Sequence, residues 1–187
     1  KEPKEIPFFD HGKNIFKTIH NSSKRRSQSG LYFAIRKIKN IILFRIVYFC
    51  PFNSIRIILH KWRGVNIGKN VQIAQQVIID NAYPEYVYID DYAGVNQGAM
   101  LIAHTNVRDC YKGIVKCKVA SIHIKEYALV SINATILPGV EIGEYSIISA
   151  GSVVLSTIKP FSMAIGNPAR VMAKYEDKIM NNIAKSK

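Results

Sequence analysis

Two histidines, His104 and His123, are the residues in the middle of this chain best suited to moving a proton near neutral pH. A neutral imidazole within hydrogen-bond reach can take the proton of a hydroxyl group and later return it. His104 stands in LIAHTNVRD, where a run of regularly spaced apolar residues stops. His123 lies between Ile122 and Ile124, so on an extended segment it faces the opposite side from those two. A lone histidine is also an ordinary surface or core residue, and His11, His20 and His60 read that way, as structural or exposed. Asp80 and Asn81 offer paired carboxylate and amide groups, natural partners for hydroxyls, although Asp is equally a turn residue. A catalytic zinc needs three protein ligands, and here two histidines stand without a cysteine pair. No metal is expected.

The element that would position these groups is written in a six-residue period. Ile67, Ile73, Ile79; Ile89, Val95, Leu101; Ile124, Val130, Ile136; and Ile142, Ile148, Val154 form four sets of three. Such a period fits neither a helix nor a simple alternating strand. It fits a triangular coil of three short strands that turns a corner every six residues. The next residue is often small or turn-forming, as at Gly68, Ala74, Asp80, Asn96, Ser131, Gly143 and Ser149, which suits tight corners. Four residues after the apolar position comes another inward residue, such as Val71, Ala93, Ala128 or Ser146. Lys125, Leu137, Leu155 and Tyr83 break the pattern.

The net charge of +13 is uneven. Residues 1–63 hold 14 Lys/Arg against 3 Asp/Glu, and residues 64–187 hold 12 against 10. Residues 1–63 read as a basic, helical arm or cap, 64–158 as the solenoid with a protruding loop at 105–118, and 159–187 as an extension ending in a short helix or tail. Two helices breaking near Pro51 are expected, each apolar on one face and basic on the other. They either cap the open end of the solenoid or lie against an anionic membrane through residues 31–63. The uncharged run from Ile46 to Ser54 is too short to span a bilayer. No nucleic-acid motif accompanies the charge, so no nucleic-acid partner is expected. Three sparse cysteines and no visible signal peptide suit a reducing, cytoplasmic setting, at most at the inner face of the membrane.

ILPGVEIGEYSIISAGSVV followed by GNPARV resembles the hexapeptide-repeat acyltransferases, and SIRIILHKWRGVNIGKNVQI looks like their sugar and polysaccharide O-acetyltransferase branch. The resemblance covers about residues 50–175. It implies an all-β fold, the left-handed parallel β-helix, with the helical N-terminal segment appended. It also implies a homotrimer that uses acetyl-CoA, with each active site shared between adjacent subunits. His104 matches the catalytic base, its second ring nitrogen to be fixed by a backbone carbonyl or a carboxylate, with Asp109 a candidate only if the loop folds back. His123 is the rival, on a flat side where a subunit cleft could lie.

Ser131, Ile132, Ala150 and Gly151 match corners along which the coenzyme arm runs, and Arg170 matches a contact to its nucleotide end. The family's Thr-Lys is Leu155-Ser156 here, leaving Ser156 at the coenzyme position and Lys159 or Lys174 to replace the missing cation. Asp80 and Asn81, with Asn106, Arg108 and Asp109 of the loop, match or neighbour the acceptor site. The expected activity is O-acetylation of a sugar hydroxyl in a surface polysaccharide or its precursor. The alternatives are N-acetylation of a nucleotide-linked amino sugar, acetylation of a small drug, or a non-catalytic structural solenoid.

Overall fold

The computed structural model describes residues 4–5, 15–25, 28–107, 111 and 114–185. Arg108 and Asp109 lie outside the described residues. The six-residue period becomes three parallel sheets around one narrow core. One face stacks β2 (Asn66–Ile67), β5 (Val87–Ile89), β9 (Ile122–Ile124) and β12 (Glu141–Ile142). The second stacks β3 (Gln72–Ile73), β6 (Gly94–Val95), β10 (Leu129–Val130), β13 (Ile147–Ile148) and β15 (Ser162–Gly166), with β16 (Ala169–Lys174) added antiparallel. The third stacks β4 (Ile78–Ile79), β7 (Met100–Leu101), β11 (Thr135–Ile136) and β14 (Val153–Val154).

The repeat residues set the register. Ile67, Ile89, Ile124 and Ile142 form one column. Ile73, Val95, Val130 and Ile148 form the second, and Ile79, Leu101, Ile136 and Val154 the third. All but Ile67, which is half-buried on the first rung, are at most 1% exposed. Each buried Val, Leu or Ile contributes about 1.5–3 kcal/mol relative to exposure.

The corners fall elsewhere than the sequence suggests. Left-handed backbone occurs three residues after the apolar position: Asn70, Gln76, Tyr92, Gly98, Tyr127, Asn133, Gly139, Tyr145 and Gly151. Small residues directly after the apolar position answer a different demand. A Cβ on Gly68 would stand 2.2 Å from Asp91 Oδ1, and one on Gly143 2.4 Å from Pro160 N. The neighbouring coil leaves no room there. Left-handed geometry is strained for tyrosine, and stacking offsets part of that cost. The rings of Tyr92, Tyr127, Tyr145 and Phe161 stack in succession, with centroids 4.8, 4.7 and 5.4 Å apart.

Among the described residues three helices precede the coils: α1 (Ile15–Arg25), α2 (Gly30–Phe49) and α3 (Asn53–Arg63). Ser29 caps α2, its hydroxyl accepting from Tyr32 N, and the helix stops before Pro51. Gly64, with φ 105°, ends α3 in the left-handed conformation that glycine tolerates. α3 lies across the first coil, where a free strand edge would otherwise remain. Asn53 Nδ2 donates to Val71 O at 3.1 Å, and Ile73 N donates to Asn53 Oδ1 at 3.0 Å. Arg56 Nε reaches Ile73 O at 2.7 Å, and Arg63 Nη2 reaches Ile79 O at 2.8 Å. At the far end, α4 (Glu176–Lys185) has no buried residue.

Candidate active site

The chain leaves the coils after Ala103 and returns at β8 (Lys118–Val119), which also pairs with β1 (Lys4–Glu5). The neck of this excursion is tied. Thr105 N donates to Lys118 O at 2.9 Å, Ala120 N donates to Ala103 O at 3.0 Å, and His104 bridges to Val119. His104 is therefore fixed at the base of the loop, with 26% of its side chain exposed.

The carboxylate of Asp80 holds it there. Asp80 follows Ile79 in the coil below, and its Oδ2 lies 2.5 Å from His104 Nδ1. The same oxygen accepts Ala103 N at 2.8 Å, while Oδ1 accepts Ala82 N at 2.8 Å and Tyr83 N at 2.9 Å. Burial pushes the carboxyl's pKa upward. The hydrogen bond and charge of His104, with the amides of Tyr83 and Ala82, outweigh burial and hold it below its ordinary 3.8. An ionised Asp80 requires the proton on Nδ1, which leaves Nε2 of a neutral His104 as the basic atom. Tyr83 closes one side, its ring 5.4 Å from the imidazole.

These contacts bear on the expectation that Asp80 binds the acceptor. Asp80 is 2% exposed and its oxygens are occupied by four donors, so it has no free lone-pair face for an acceptor hydroxyl. It holds Nδ1 of the histidine instead, as one of the carboxylates or backbone carbonyls expected there, while Asp109 lies outside the described residues. Asn81 is exposed beside it and accepts Arg63 Nη2 at 3.3 Å, and Asn106 is exposed on the loop. Two further neighbours went unrecognised in the sequence. Tyr83 had registered only as a break in the period. Arg63 is buried and donates to the carbonyls of Ile79 and Asp80, at 2.8 and 3.3 Å, and to His60 Nδ1 at 3.0 Å. It ties α3 to the backbone that carries Asp80.

The expected coenzyme positions cluster at a different corner. Ser131 and Ile132 follow the second face, as do Ala150 and Gly151 one coil later, and Gly151 N donates to Ile132 O at 2.9 Å. Ile132 is 50% exposed, and a Cβ on Gly151 would meet nothing within 4 Å, so this edge is open. Ser156 and Arg170 are exposed, and Arg170 Nη1 donates only to Ala169 O among the described residues. His104 follows the third face, so one chain does not bring the two groups together. His123 lies apart, on the first face, stacked on Tyr88 at 4.5 Å. It borders a depression of about 370 Å³ with Ser121, Glu141 and Thr157. Burial first, and then the charge of Lys125, lowers the pKa of His123. Among the described residues no cluster of His, Cys, Asp and Glu could hold a metal ion.

The family model described as bacterial transferase hexapeptide (six repeats) matches residues 121–156. A putative acetyltransferase of Bacillus subtilis, YvoF, is 25% identical over 144 residues, 76% of this chain and 80% of the relative. The structure resembles the hexapeptide-repeat acetyltransferase VCA0836 of Vibrio cholerae, solved with acetyl coenzyme A. The TM-score is 0.64 at 18% identity, covering 76% of this chain and 88% of that one. A maltose O-acetyltransferase of Clostridium difficile aligns with TM-score 0.60 at 18% identity, over 75% and 87% of the two chains. By its repeats and its coils, the chain carries hexapeptide repeats over residues 121–156 and shares the fold of the hexapeptide-repeat acetyltransferases it resembles.

Proposed function

We propose that this chain transfers an acetyl group from acetyl-CoA to a sugar hydroxyl, with His104 as general base and the site completed by a neighbouring copy in a homotrimer. The observation that carries the reading is the Asp80–His104 contact, which presents a basic Nε2 beside an exposed loop. Nε2 takes the proton of the acceptor hydroxyl as its oxygen attacks the thioester carbonyl. The carbon–sulfur bond then breaks, and the imidazolium returns the proton to the departing thiolate. Asp80 stabilises the imidazolium while it exists. Ile132 and the open corner at Ala150–Gly151 suit the donor's pantetheine arm, and the guanidinium of Arg170 suits its phosphates. These groups and His104 sit at different corners of one chain, which favours a site assembled between copies, with the coils wound left-handed as in the resembling family. The names of the relatives fit acetyl transfer, and a maltose-acetylating protein shares the fold. The loop residues Asn106, Arg108 and Asp109, with Asn81, are proposed to select a sugar of a surface polysaccharide or its precursor. Acetyl-CoA is a cytoplasmic metabolite, so the reaction is placed in the cytoplasm.

The test is release of CoA thiol from acetyl-CoA across a panel of sugars, for the native chain and His104→Ala. The expected loss is about 10²–10⁴-fold in kcat. Full activity in the variant removes the mechanism. A native chain inert with every sugar removes the sugar reading.

A further inference from the structure

α2 is built the wrong way round for a helix on a water-facing surface. Its buried residues Phe33, Asn40 and Val47 recur every seven and point to the rest of the chain. The opposite side, normally polar, carries Leu31, Ile35, Ile38, Ile42, Ile46 and Phe49, between 51% and 74% exposed. At 100° per residue these six form one stripe about 80° wide and roughly 30 Å long, the length of the helix. Lys39 and Arg45 border the stripe on its two sides, and residues 28–63 contain no Asp or Glu. Lys39 Nζ donates to Trp62 O at 2.9 Å, which sets the exposed Trp62 of α3 beside the stripe. Arg36, on the inward side, is taken by Glu85 at 2.6 Å, so the inward charge is neutralised and the outward charge is not.

We propose that the outward face of α2, with Trp62 of α3, binds the surface of an anionic lipid bilayer. This goes beyond acetyl transfer and does not depend on it. An apolar stripe bordered by cations and a tryptophan matches the interface between acyl chains and acidic headgroups. No described helix is long and apolar enough to cross a membrane, so α2 lies in the interface plane. A second copy of the chain is the competing occupant. Two such faces meeting would bring their cations together with no acid from this segment to pair them, which disfavours it. The basic arm, with its 14 Lys/Arg against 3 Asp/Glu, adds attraction of the same sign.

The experiment is co-sedimentation of the full chain with vesicles of phosphatidylcholine alone or mixed with phosphatidylglycerol, at low and high salt, with molecular mass measured in parallel. Binding is expected to the anionic vesicles, to weaken with salt, and to be abolished in Ile38→Glu/Ile42→Glu. Lys39→Gln/Arg45→Gln keeps the apolar stripe and should weaken binding roughly 30-fold, the worth of two cations near an acidic surface. Met172→Glu, exposed on β16, should change nothing. Circular dichroism and mass identical to native show that the variants fold. No binding by the native chain, equal binding to neutral vesicles, or loss of oligomer mass in Ile38→Glu/Ile42→Glu overturns the proposal, the last in favour of a second copy.

Discussion

Asp80 and His104 stand 24 residues apart in the chain and 2.5 Å apart in space. The coil register does this: Ile79 pairs with Leu101, and Asp80 N donates to Leu101 O at 2.9 Å, so Asp80 lies under the segment that leads into His104. Four donors converge on its two oxygens.

Asp80→Asn should therefore be far from conservative. Its amide group sets a donor against donors on one side or the other. If the amide faces His104, the imidazole must move its proton to Nε2, which removes the basic atom. The expected result is a fall in kcat of about 10²–10⁴-fold with KM for acetyl-CoA nearly unchanged, and a changed pH–rate profile. A profile and kcat like the native chain's would show that Asp80 does not set the tautomer.

The fold was open to reading in the sequence because one residue in six must fill a narrow core, and Ile, Val and Leu at those places leave few alternatives. The corners were misplaced because small residues have two causes. Gly68 and Gly143 are small because the next coil is close, while the left-handed positions tolerate Tyr92, Tyr127 and Tyr145 in a stack. His104 stands out as the candidate base through family resemblance at the break in the period. Its partner was within reach of the register alone, since Ile79 and Leu101 share a column, but Asp80 also read as a turn residue. Arg63 could not be found this way. Its role depends on how α3 lies across the first coil, and the six-residue period carries no information about that angle.

His60 should make folding sensitive to mild acid. Burial, and then the positive charges of Arg63 and Arg56, push its pKa from 6.5 down to about 3. Between those values the unfolded chain binds a proton that the folded chain refuses, so stability is full above pH 6.5 and declines as the pH falls toward 3. The slope is about 1.4 kcal/mol per pH unit. Asp80 acts in a separate, lower window: its stabilisation is present above 3.8 and is lost as the pH falls through its depressed folded value. Urea titrations at pH 7.5, 6 and 5 should show falling stability in the native chain and a flatter series in His60→Gln. Equal slopes for the two would refute the assignment.

Gly143→Ala tests the close approach between coils. Its Cβ would stand 2.4 Å from Pro160 N and 2.7 Å from Lys159 C. That backbone cannot easily withdraw, because Gly143 N donates to Ile158 O at 2.8 Å and Ser146 Oγ donates to Lys159 O at 2.8 Å. The alternatives are a shifted coil or a lost hydrogen bond, and overpacking of this kind costs about 1–3 kcal/mol. The urea midpoint should fall accordingly, with the slope of the transition unchanged because the same surface is exposed on unfolding. The dyad lies on the coil of Ile79 and the neck after Leu101, away from Gly143, so kcat of the folded variant should match the native value. A midpoint equal to the native one would mean that the small residue after each apolar position reflects something other than the spacing of the coils.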